Sequence, residues 1–220
     1  MRFFIDTANL NEIREINNLG ILDGVTTNPS LMAKEGITGK NNIFAHYKAI
    51  CDIVDGGEVS AEVLSTDYAG MIREGEELAE IHEGIVVKVP MTKDGIRAIH
   101  YFTNKDIRTN CTLVFSAMQA LVAAKAGASF VSPFVGRLDD ISTDGLDLIE
   151  SINEIFLNYD YDTEILAASI RHPMHILKCA EIGAHVVTAP AKVFLDLLNH
   201  PLTDIGLKKF VEDGQKLKLH

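Results

Sequence analysis

The segment "EGIVVKVPMT", residues 83–92, places a lysine inside a run of β-branched apolar residues. Valines and an isoleucine flank Lys88, a pattern typical of a strand that is buried on both faces in a parallel sheet. Removing an ammonium group from water costs several kcal/mol, on the order of the net stability of a whole domain. The position of Lys88 therefore favours a functional lysine over one at a sheet edge or one whose amine reaches water.

Polar residues also stand at the ends of the other apolar runs in the chain. A protein whose strands served only as a scaffold would have valine, isoleucine or leucine at many of these positions. The polar residues are Asp6, Thr26, Asn28, Glu62, Asn110, Thr112, Ser132, Ser169 and Thr188, and Arg137 and Arg171 follow the sixth and seventh runs. If the strands are parallel, their carboxyl ends meet on one face, so these side chains would share one site.

This set of residue types suits carbon–carbon bond chemistry on a sugar. Taking a lysine out of water favours its neutral form, which can attack a ketone and form a Schiff base. The resulting iminium withdraws electrons, so the neighbouring C–C bond can break or form. That reaction needs one base for a substrate hydroxyl, a second acid–base group for dehydration of the carbinolamine, and hydroxyls that orient the sugar. The two arginines would suit a substrate phosphate. The residues therefore outline the site of a class I aldolase-type enzyme.

Two of the carboxylates also have structural interpretations. Asp6 could cap the helix that begins near Asn9, although Asn9 is itself suited to that position. Glu62 could be the ion-pair partner of Lys88, which would make both residues structural. The sequence leaves these alternatives open.

The arginine in "GRLDD" has an alternative to substrate binding, and the histidines bear on whether a metal is bound. Arg137 could pair at the surface with Asp139 or Asp140 instead of binding substrate. The histidines show neither HxH nor HExxH spacing, so we expect no metal site, and no cofactor is implied.

The polar residues lie on short apolar runs that alternate with longer amphipathic segments. The predicted strands are "RFFID", "GVTTN", "EVSAEVL", "IVVKVP", "TNCTLVF", "SFVSPFV", "EILAAS" and "HVVTAP". The predicted helices between them are "NLNEIREINNLG", "STDYAGMIREGEELAEIHEG", "SAMQALVAAKAGA", "TDGLDLIESINEIFLNY" and "HPMHILKCAEIGA". Gly20 is expected just after the first helix, and Ser65, Thr66 or Asp67 at the start of the second.

Eight strand–helix units in one chain predict an α/β fold, a single (β/α)₈ barrel that spans residues 1–220. A doubly wound open sheet is the alternative, but neither GxGxxG nor a P-loop follows the first strand. An additional C-terminal helix is predicted over about residues 202–217. Its apolar residues Ile205, Leu207 and Phe210 need a surface to cover, either the flank of the barrel or a neighbouring subunit.

The composition narrows the class of protein. The chain has 220 residues, 47% of them hydrophobic, which is ordinary for a globular domain with a substantial core. A net charge of −11 disfavours nucleic-acid and anionic-membrane partners. No apolar window is long enough to span a membrane, and no signal peptide is expected. The three cysteines lack CxxC spacing, which favours reduced thiols and a cytoplasmic location.

Six segments resemble the small transaldolase family, which also includes bacterial fructose-6-phosphate aldolases. They are "FIDTAN", "GVTTNPSL", "IVVKVPMT", "TNCTLVF", "VSPFVGRLDD" and "LAASIR", and the resemblance runs collinearly from Arg2 to about Gly214. It implies a (β/α)₈ barrel that moves a dihydroxyacetone unit between phosphorylated sugars. It also implies a homo-oligomer, a pentamer or a decamer.

The resemblance implies a role for each site residue. Lys88 matches the Schiff-base lysine, and Asp6 matches the acid–base group that takes the proton of the donor's C4 hydroxyl. Glu62 and Thr112 match the pair that holds the water used in dehydration and protonation. The remaining matches are Thr26, Asn28, Asn110 and Ser132 for the sugar hydroxyls, and Arg137, Ser169 and Arg171 for the phosphate.

Two positions favour the transaldolase branch of the family over the aldolase branch. The aldolases typically carry glutamine in place of Glu62 and tyrosine in place of Phe134, a residue of the substrate site. Without a phenolic hydroxyl, Phe134 cannot position a water that would protonate the enamine. A fructose-6-phosphate aldolase that uses the same lysine remains the alternative, and a non-catalytic sugar-phosphate-binding barrel is the third. Relatives often have a tryptophan in the C-terminal helix, and this chain has none.

Overall fold

A closed barrel of eight parallel strands forms the centre of the protein, in a computed structural model that describes residues 1–216. Each strand pairs with the next along the chain, and the last pairs with the first. The strands are β1 (Arg2–Asp6), β2 (Gly24–Thr26), β3 (Glu58–Glu62), β4 (Ile85–Pro90), β5 (Thr109–Val114), β6 (Phe130–Pro133), β7 (Glu164–Ala167) and β8 (Val186–Ala189). Every strand lies within its predicted apolar run, and the predicted (β/α)₈ fold is confirmed.

Helices surround the barrel. They are α1 (Leu10–Asn18), α2 (Pro29–Lys34), α3 (Lys40–Ile53), α4 (Tyr68–Ala79), α5 (Lys93–Thr103), α6 (Ala117–Lys125), α7 (Val135–Asp139), α8 (Gly145–Asn158), α9 (Pro173–Ile182), α10 (Ala191–Asp196) and α11 (Pro201–Lys216). The sequence patterns named above predicted α1, α4, α6, α8, α9 and α11. Helices α2, α7 and α10 have only five or six residues, too few to display a helical period. Helices α3 and α5 were not predicted either; α3 begins without a side-chain cap, and α5 is capped by Thr92.

The cap of α1 resolves one of the alternatives for Asp6. The side chain of Asn9 accepts hydrogen bonds from the backbone N–H groups of Asn11 and Glu12, so α1 is capped without Asp6. Gly20 follows the helix with a φ of 71°, as expected of a residue in the left-handed region. The carboxylate of Asp6 is therefore left for the barrel interior.

The interior of the barrel is apolar at its amino-terminal end. A separate buried cluster there consists of one inward-facing residue from each of five strands, and its members are Phe4, Val86, Phe130, Leu166 and Val186. A Cβ on Gly24 would come within 2.6 Å of the Phe4 ring, so any other residue at this position would displace the ring. The outward-facing strand residues instead join the large core between the barrel and the helices. This apolar floor closes one end of the barrel and leaves polar residues to the other.

The predicted C-terminal helix is present as α11, and Leu217, its predicted last residue, lies outside the described residues. None of its side chains is buried. Ile205, Leu207 and Phe210 are exposed, Phe210 by 74%. The flank of the barrel does not cover these residues.

In the part of the chain from residue 1 to residue 216, we find no helix whose length and apolar character would allow it to cross a membrane.

Candidate active site

Lys88 points into the barrel from β4, and only 6% of its surface is exposed. Its Nζ donates a hydrogen bond to the backbone oxygen of Thr27 at 2.9 Å and lies 3.0 Å from Oε2 of Glu62. The register of β3 and β4 places Glu62 directly beside Lys88, so both side chains face inward. The ion pair that the sequence left open therefore exists, between a buried amine and a carboxylate that is 16% exposed.

Asp6 faces the interior from the end of β1. Its Oδ1 accepts a hydrogen bond of 2.7 Å from the hydroxyl of Thr26 on β2. Burial raises the pKa of Asp6 above its usual value, although the charge of Lys88 and the hydrogen bond from Thr26 both act to lower it. A carboxylate with a raised pKa is a better proton acceptor, which suits a general base.

A second set of polar side chains near Lys88 comes from β3, β5 and β6. Asn110 on β5 donates to the hydroxyl of Ser60 at 3.1 Å, and its Oδ1 accepts from the hydroxyl of Ser132 at 2.8 Å. All three residues are buried. Because Ser60 and Ser132 use Asn110 as their common partner, the orientation of its amide group is determined.

An irregularity in β5 lies next to Thr112. The pairing with β6 moves from Cys111–Val131 to Val114–Pro133, so β5 contains one extra residue in that interval. Leu113 has a φ of 59°, which is unfavourable for a leucine. The hydroxyl of Thr112 is buried and has no hydrogen-bond partner among the described residues. The bulge thus holds an unused hydroxyl group on the strand next to Lys88.

A cavity of about 150 Å³ opens at the carboxyl ends of the strands. Its walls are formed by Asp6, Thr26, Asn28, Lys88, Ser132, Phe134, Arg137, Ala168, Ser169 and Thr188. All of these except Ala168 were expected at the site, although the resemblance gave no role to Thr188. Asn28 has a second function, because its Oδ1 caps α2 by accepting from the N–H of Leu31 at 3.0 Å. The structure therefore brings most of the predicted site together around the Lys88 amine.

Four predicted site residues lie outside the walls of this cavity. Glu62 pairs with the cavity residue Lys88, and Asn110 accepts a hydrogen bond from the cavity residue Ser132. Thr112 lies on β5, the strand next to that of Lys88. Arg171 is the fourth. Both of its Nη atoms bind the carboxylate of Asp140, at 2.6 and 2.5 Å, and the pKa of Asp140 is held below its usual value by these hydrogen bonds.

The arginine end of the cavity is formed by the segments after β6 and β7. Arg137 lines the cavity and has no hydrogen-bond or ion-pair partner within residues 1–216, and Asp140, one of the two surface partners open to it, pairs with Arg171 instead. A Cβ on Gly136 would lie 2.4 Å from the backbone oxygen of Ser169 and 2.6 Å from Nε of Arg171. Glycine at position 136 is thus required for the segment after β6 to lie this close to the segment after β7. Ser169 has a φ of 59°, as Leu113 does, so two residues at the carboxyl ends of the strands have a strained backbone.

Sequence reasoning missed some inward-facing residues. Thr188 was expected at the site as a polar strand end but had no role assigned to it, and Ser60, two positions before Glu62, was not predicted. Alternation along the strands could have revealed Ser60, since residues two apart face the same side. Among residues 1–216, no group of three or more histidine, cysteine, aspartate or glutamate side chains is arranged to hold a metal ion.

Another depression, of about 510 Å³, lies at the amino-terminal end of the barrel. Glu58, Arg108, Phe130 and Glu164 are among the residues that line it. Arg2 forms ion pairs with Glu58 and Glu164 at this end. The apolar floor separates this depression from Lys88, so the smaller cavity is the candidate active site.

The family model of transaldolase/fructose-6-phosphate aldolase matches residues 3–219 of the chain. The chain belongs to this family. A protein of Cytophaga hutchinsonii named "Probable transaldolase" is 71% identical, with 99% of each chain covered. A "Probable transaldolase" of Flavobacterium psychrophilum is 66% identical over 98% of this chain and 99% of its own.

A solved thiamine phosphate pyrophosphorylase from Pyrococcus furiosus has a similar fold, with a TM-score of 0.61 over 86% of this chain and 85% of its own. At 13% identity, this likeness concerns the fold alone.

Membership of the transaldolase/fructose-6-phosphate aldolase family confirms the resemblance found in the sequence and makes the chain an enzyme. The third interpretation, a non-catalytic barrel in which Lys88 and Glu62 are purely structural, is therefore wrong. The ion pair that it assumed is nevertheless present.

Proposed function

We propose that the protein is a transaldolase, which transfers a dihydroxyacetone unit from a ketose phosphate to an aldose phosphate through a Schiff base on Lys88. Fructose 6-phosphate and sedoheptulose 7-phosphate are the proposed donors, in the pentose phosphate pathway. The observation that carries this proposal is the buried amine of Lys88 in the wall of the same cavity as the carboxylate of Asp6, whose pKa burial raises.

The first half of the reaction forms and uses the iminium. The ammonium of Lys88 must first lose a proton; the neutral amine then adds to the donor's C2 carbonyl, and loss of water from the carbinolamine gives the iminium. Asp6 then takes the proton of the C4 hydroxyl, the C3–C4 bond breaks, and the bond's electron pair moves into the iminium to give an enamine. An aldehyde phosphate leaves, and three carbons stay on Lys88.

The second half reverses these steps with a new aldehyde. The enamine carbon attacks the carbonyl of the acceptor, and Asp6 returns its proton to the oxygen that becomes the new hydroxyl. Water then adds to the iminium and releases the ketose phosphate and the free amine. Every proton taken by Asp6 is thus returned within one catalytic cycle.

Glu62 and Thr112 are proposed to hold the water used in dehydration and hydrolysis. Glu62 contacts Lys88 directly at 3.0 Å, so it is close to the carbon that Lys88 binds. The buried hydroxyl of Thr112 has hydrogen-bonding capacity that no described residue uses. Because an unsatisfied buried hydroxyl is costly, a bound water or substrate oxygen is its natural partner.

The substrate phosphate is proposed to bind at the arginine end of the cavity, with Arg137, Ser169 and Arg171. Arg137 already faces the cavity. The end of the Arg171 guanidinium is bound to Asp140, so a phosphate must either share Arg171 through its remaining N–H groups or replace Asp140. Thr26, Asn28, Asn110 and Ser132 would then contact the sugar hydroxyls.

A fructose-6-phosphate aldolase is the second candidate, because it would use the same lysine and the same cavity. The two activities differ in what happens to the enamine, which is either protonated or attacks an acceptor. Phe134 lines the cavity and packs edge-on against Phe115, with ring centroids 5.5 Å apart. Its ring offers no proton donor beside the enamine, which favours transfer to an acceptor over protonation.

The test compares product formation from fructose 6-phosphate with and without erythrose 4-phosphate. We expect glyceraldehyde 3-phosphate to form at least roughly tenfold more slowly without the acceptor, which corresponds to a barrier difference of about 1.4 kcal/mol. Phe134→Tyr should raise the rate without acceptor. Phe115→Tyr is the matched control, because it adds the same hydroxyl to the neighbouring ring. Wild-type release of free dihydroxyacetone at the same rate without acceptor would identify an aldolase.

We also propose that the protein is a homo-oligomer, a pentamer or decamer, in which a neighbouring subunit covers α11. The exposed apolar side chains of Ile205, Leu207 and Phe210 support this assembly, because they lie on a helix that its own barrel leaves uncovered. Sedimentation should give five or ten times the mass of one chain, and Phe210→Ser should shift the distribution to smaller species. A monomeric wild type would refute the proposal. The cytoplasmic location stays a prediction.

A further inference from the structure

A chain of two hydroxyl groups leads from β8 to the carboxylate of Asp6. The hydroxyl oxygen of Thr188 lies 2.7 Å from that of Thr26, which lies 2.7 Å from Oδ1 of Asp6. Both threonines are buried, with 3% and 2% of their surface exposed. Strands β8 and β2 flank β1 on its two sides, so the chain passes across the interior face of β1.

The number of protons determines the direction of these hydrogen bonds. An ionised carboxylate can only accept, so the single hydroxyl proton of Thr26 is donated to Oδ1 of Asp6. Thr26 then has only lone pairs to offer to Thr188, and Thr188 must donate its own proton to Thr26. Exchanging these roles would leave Oδ1 without its donor.

The other carboxylate oxygen of Asp6 is left unused. Within residues 1–216, Thr26 is the one side chain that forms a hydrogen bond with Asp6, and it binds Oδ1. Asp6 also lines the cavity, so Oδ2 is the oxygen that remains for a substrate hydroxyl. The two threonines therefore distinguish the two oxygens of one carboxylate.

We propose that Thr188 is a positioning residue that acts through Thr26 to occupy Oδ1 of Asp6, reserving Oδ2 for the proton exchanged with substrate. This inference rests on the proposed function, because it assumes that Asp6 is the base. Thr188 itself does not need to touch the substrate.

The proposal has a consequence for the pH dependence. Lys88 is the charged group that faces Asp6, from β4, and Glu62 on β3 lies beyond it in the ion pair with Lys88. Thr26 and Thr188, from the two strands that flank β1, are neutral. Donation from Thr188 polarises the Thr26 hydroxyl and strengthens its hydrogen bond to the anion. Without that donation the anion of Asp6 is less stabilised, and its pKa, already raised by burial, rises further.

The test combines three variants with two measurements. Thr188→Val removes the hydroxyl and keeps the shape of the side chain, whereas Thr188→Ser restores the hydroxyl. Thr163→Val is the matched control, because Thr163, just before β7, is also a buried threonine but donates to the backbone oxygen of Ala128 and not to Thr26. The measurements are the acid limb of kcat/KM against pH and the carbon-13 NMR titration of the Asp6 carboxyl group.

In Thr188→Val, we expect both the acid limb and the Asp6 titration to move about half a pH unit higher, because the base must be ionised to work. Thr188→Ser should return both to the wild-type value, and Thr163→Val should move neither. Unchanged titration in Thr188→Val, an equal shift in Thr163→Val, or a rise in KM alone would overturn the proposal. The NMR titration does not depend on turnover, so a wild type without transaldolase activity would count against the proposed function only.

Discussion

Replacing Lys88 by methionine is expected to lower turnover by a factor on the order of 10⁴ or more, because no other group in the cavity can form the Schiff base. Methionine keeps most of the side-chain volume, so the barrel should still fold. Glu62 loses its ion-pair partner in this variant, but it is 16% exposed and can be hydrated. Turnover of fructose 6-phosphate with erythrose 4-phosphate, together with the circular dichroism spectrum, measures both effects.

A trapping experiment locates the covalent step. Borohydride reduces the Schiff base formed with fructose 6-phosphate to a stable secondary amine, and trypsin does not cleave after the modified lysine. The adduct should therefore appear on a peptide that spans residues 74–93. Lys93→Met, which changes an exposed lysine five residues further on, is the control: trapping and turnover should be unchanged, and because this trypsin site is lost the adduct peptide should extend to Arg97. An adduct on another peptide, or turnover that survives in Lys88→Met, would contradict the mechanism.

Replacing Arg137 by alanine is expected to raise the KM for phosphorylated substrates roughly ten- to hundredfold, since a hydrogen bond to a charged group contributes about 1.5–3 kcal/mol. Arg137 lines the cavity and has no partner of its own within the described residues, so its donors are available to the phosphate. Arg171→Ala should have a smaller effect, because Asp140 already neutralises part of that charge. Steady-state kinetics on fructose 6-phosphate measure both.

Free dihydroxyacetone provides the contrast for this prediction, because it has no phosphate. Its use as a donor to an unphosphorylated aldehyde should change little in Arg137→Ala, because neither substrate then carries a phosphate. Arg14→Ala changes the net charge by the same amount on the exposed face of α1 and controls for long-range electrostatics. If Arg137→Ala impaired both donors equally, Arg137 would have a function other than phosphate binding.

The fold could be predicted from the sequence because its signals are local. Each strand is a short apolar run bounded by polar or turn residues, and such a run requires a parallel sheet covered on both faces. Lys88 was recognisable for the same reason, since a charge within such a run is costly. The short helices α2, α7 and α10 left no readable period, and they were missed.

The alternatives that the sequence left open were decided by contacts between distant parts of the chain. Asp6 and Asn9 both fit a helix cap, and only the backbone geometry assigns the cap to Asn9. Arg137 lies next to Asp139 and Asp140 in the sequence, yet the structure pairs Asp140 with Arg171, which is 31 positions away. Spacing along the sequence could not distinguish these arginines, because the segments after β6 and β7 meet only in the closed barrel.

The sequence by itself determined the closed barrel, the face that carries the chemistry and most of the residues around the buried amine. Strand alternation and helical periodicity encode which side of each element is buried, and that information is local. The tertiary structure alone decided that Thr188 reaches Asp6 through Thr26, that Arg171 is already paired and that the barrel leaves α11 uncovered. Each of these depends on atoms from strands or helices far apart in the chain, whose distances are set only when the whole barrel closes.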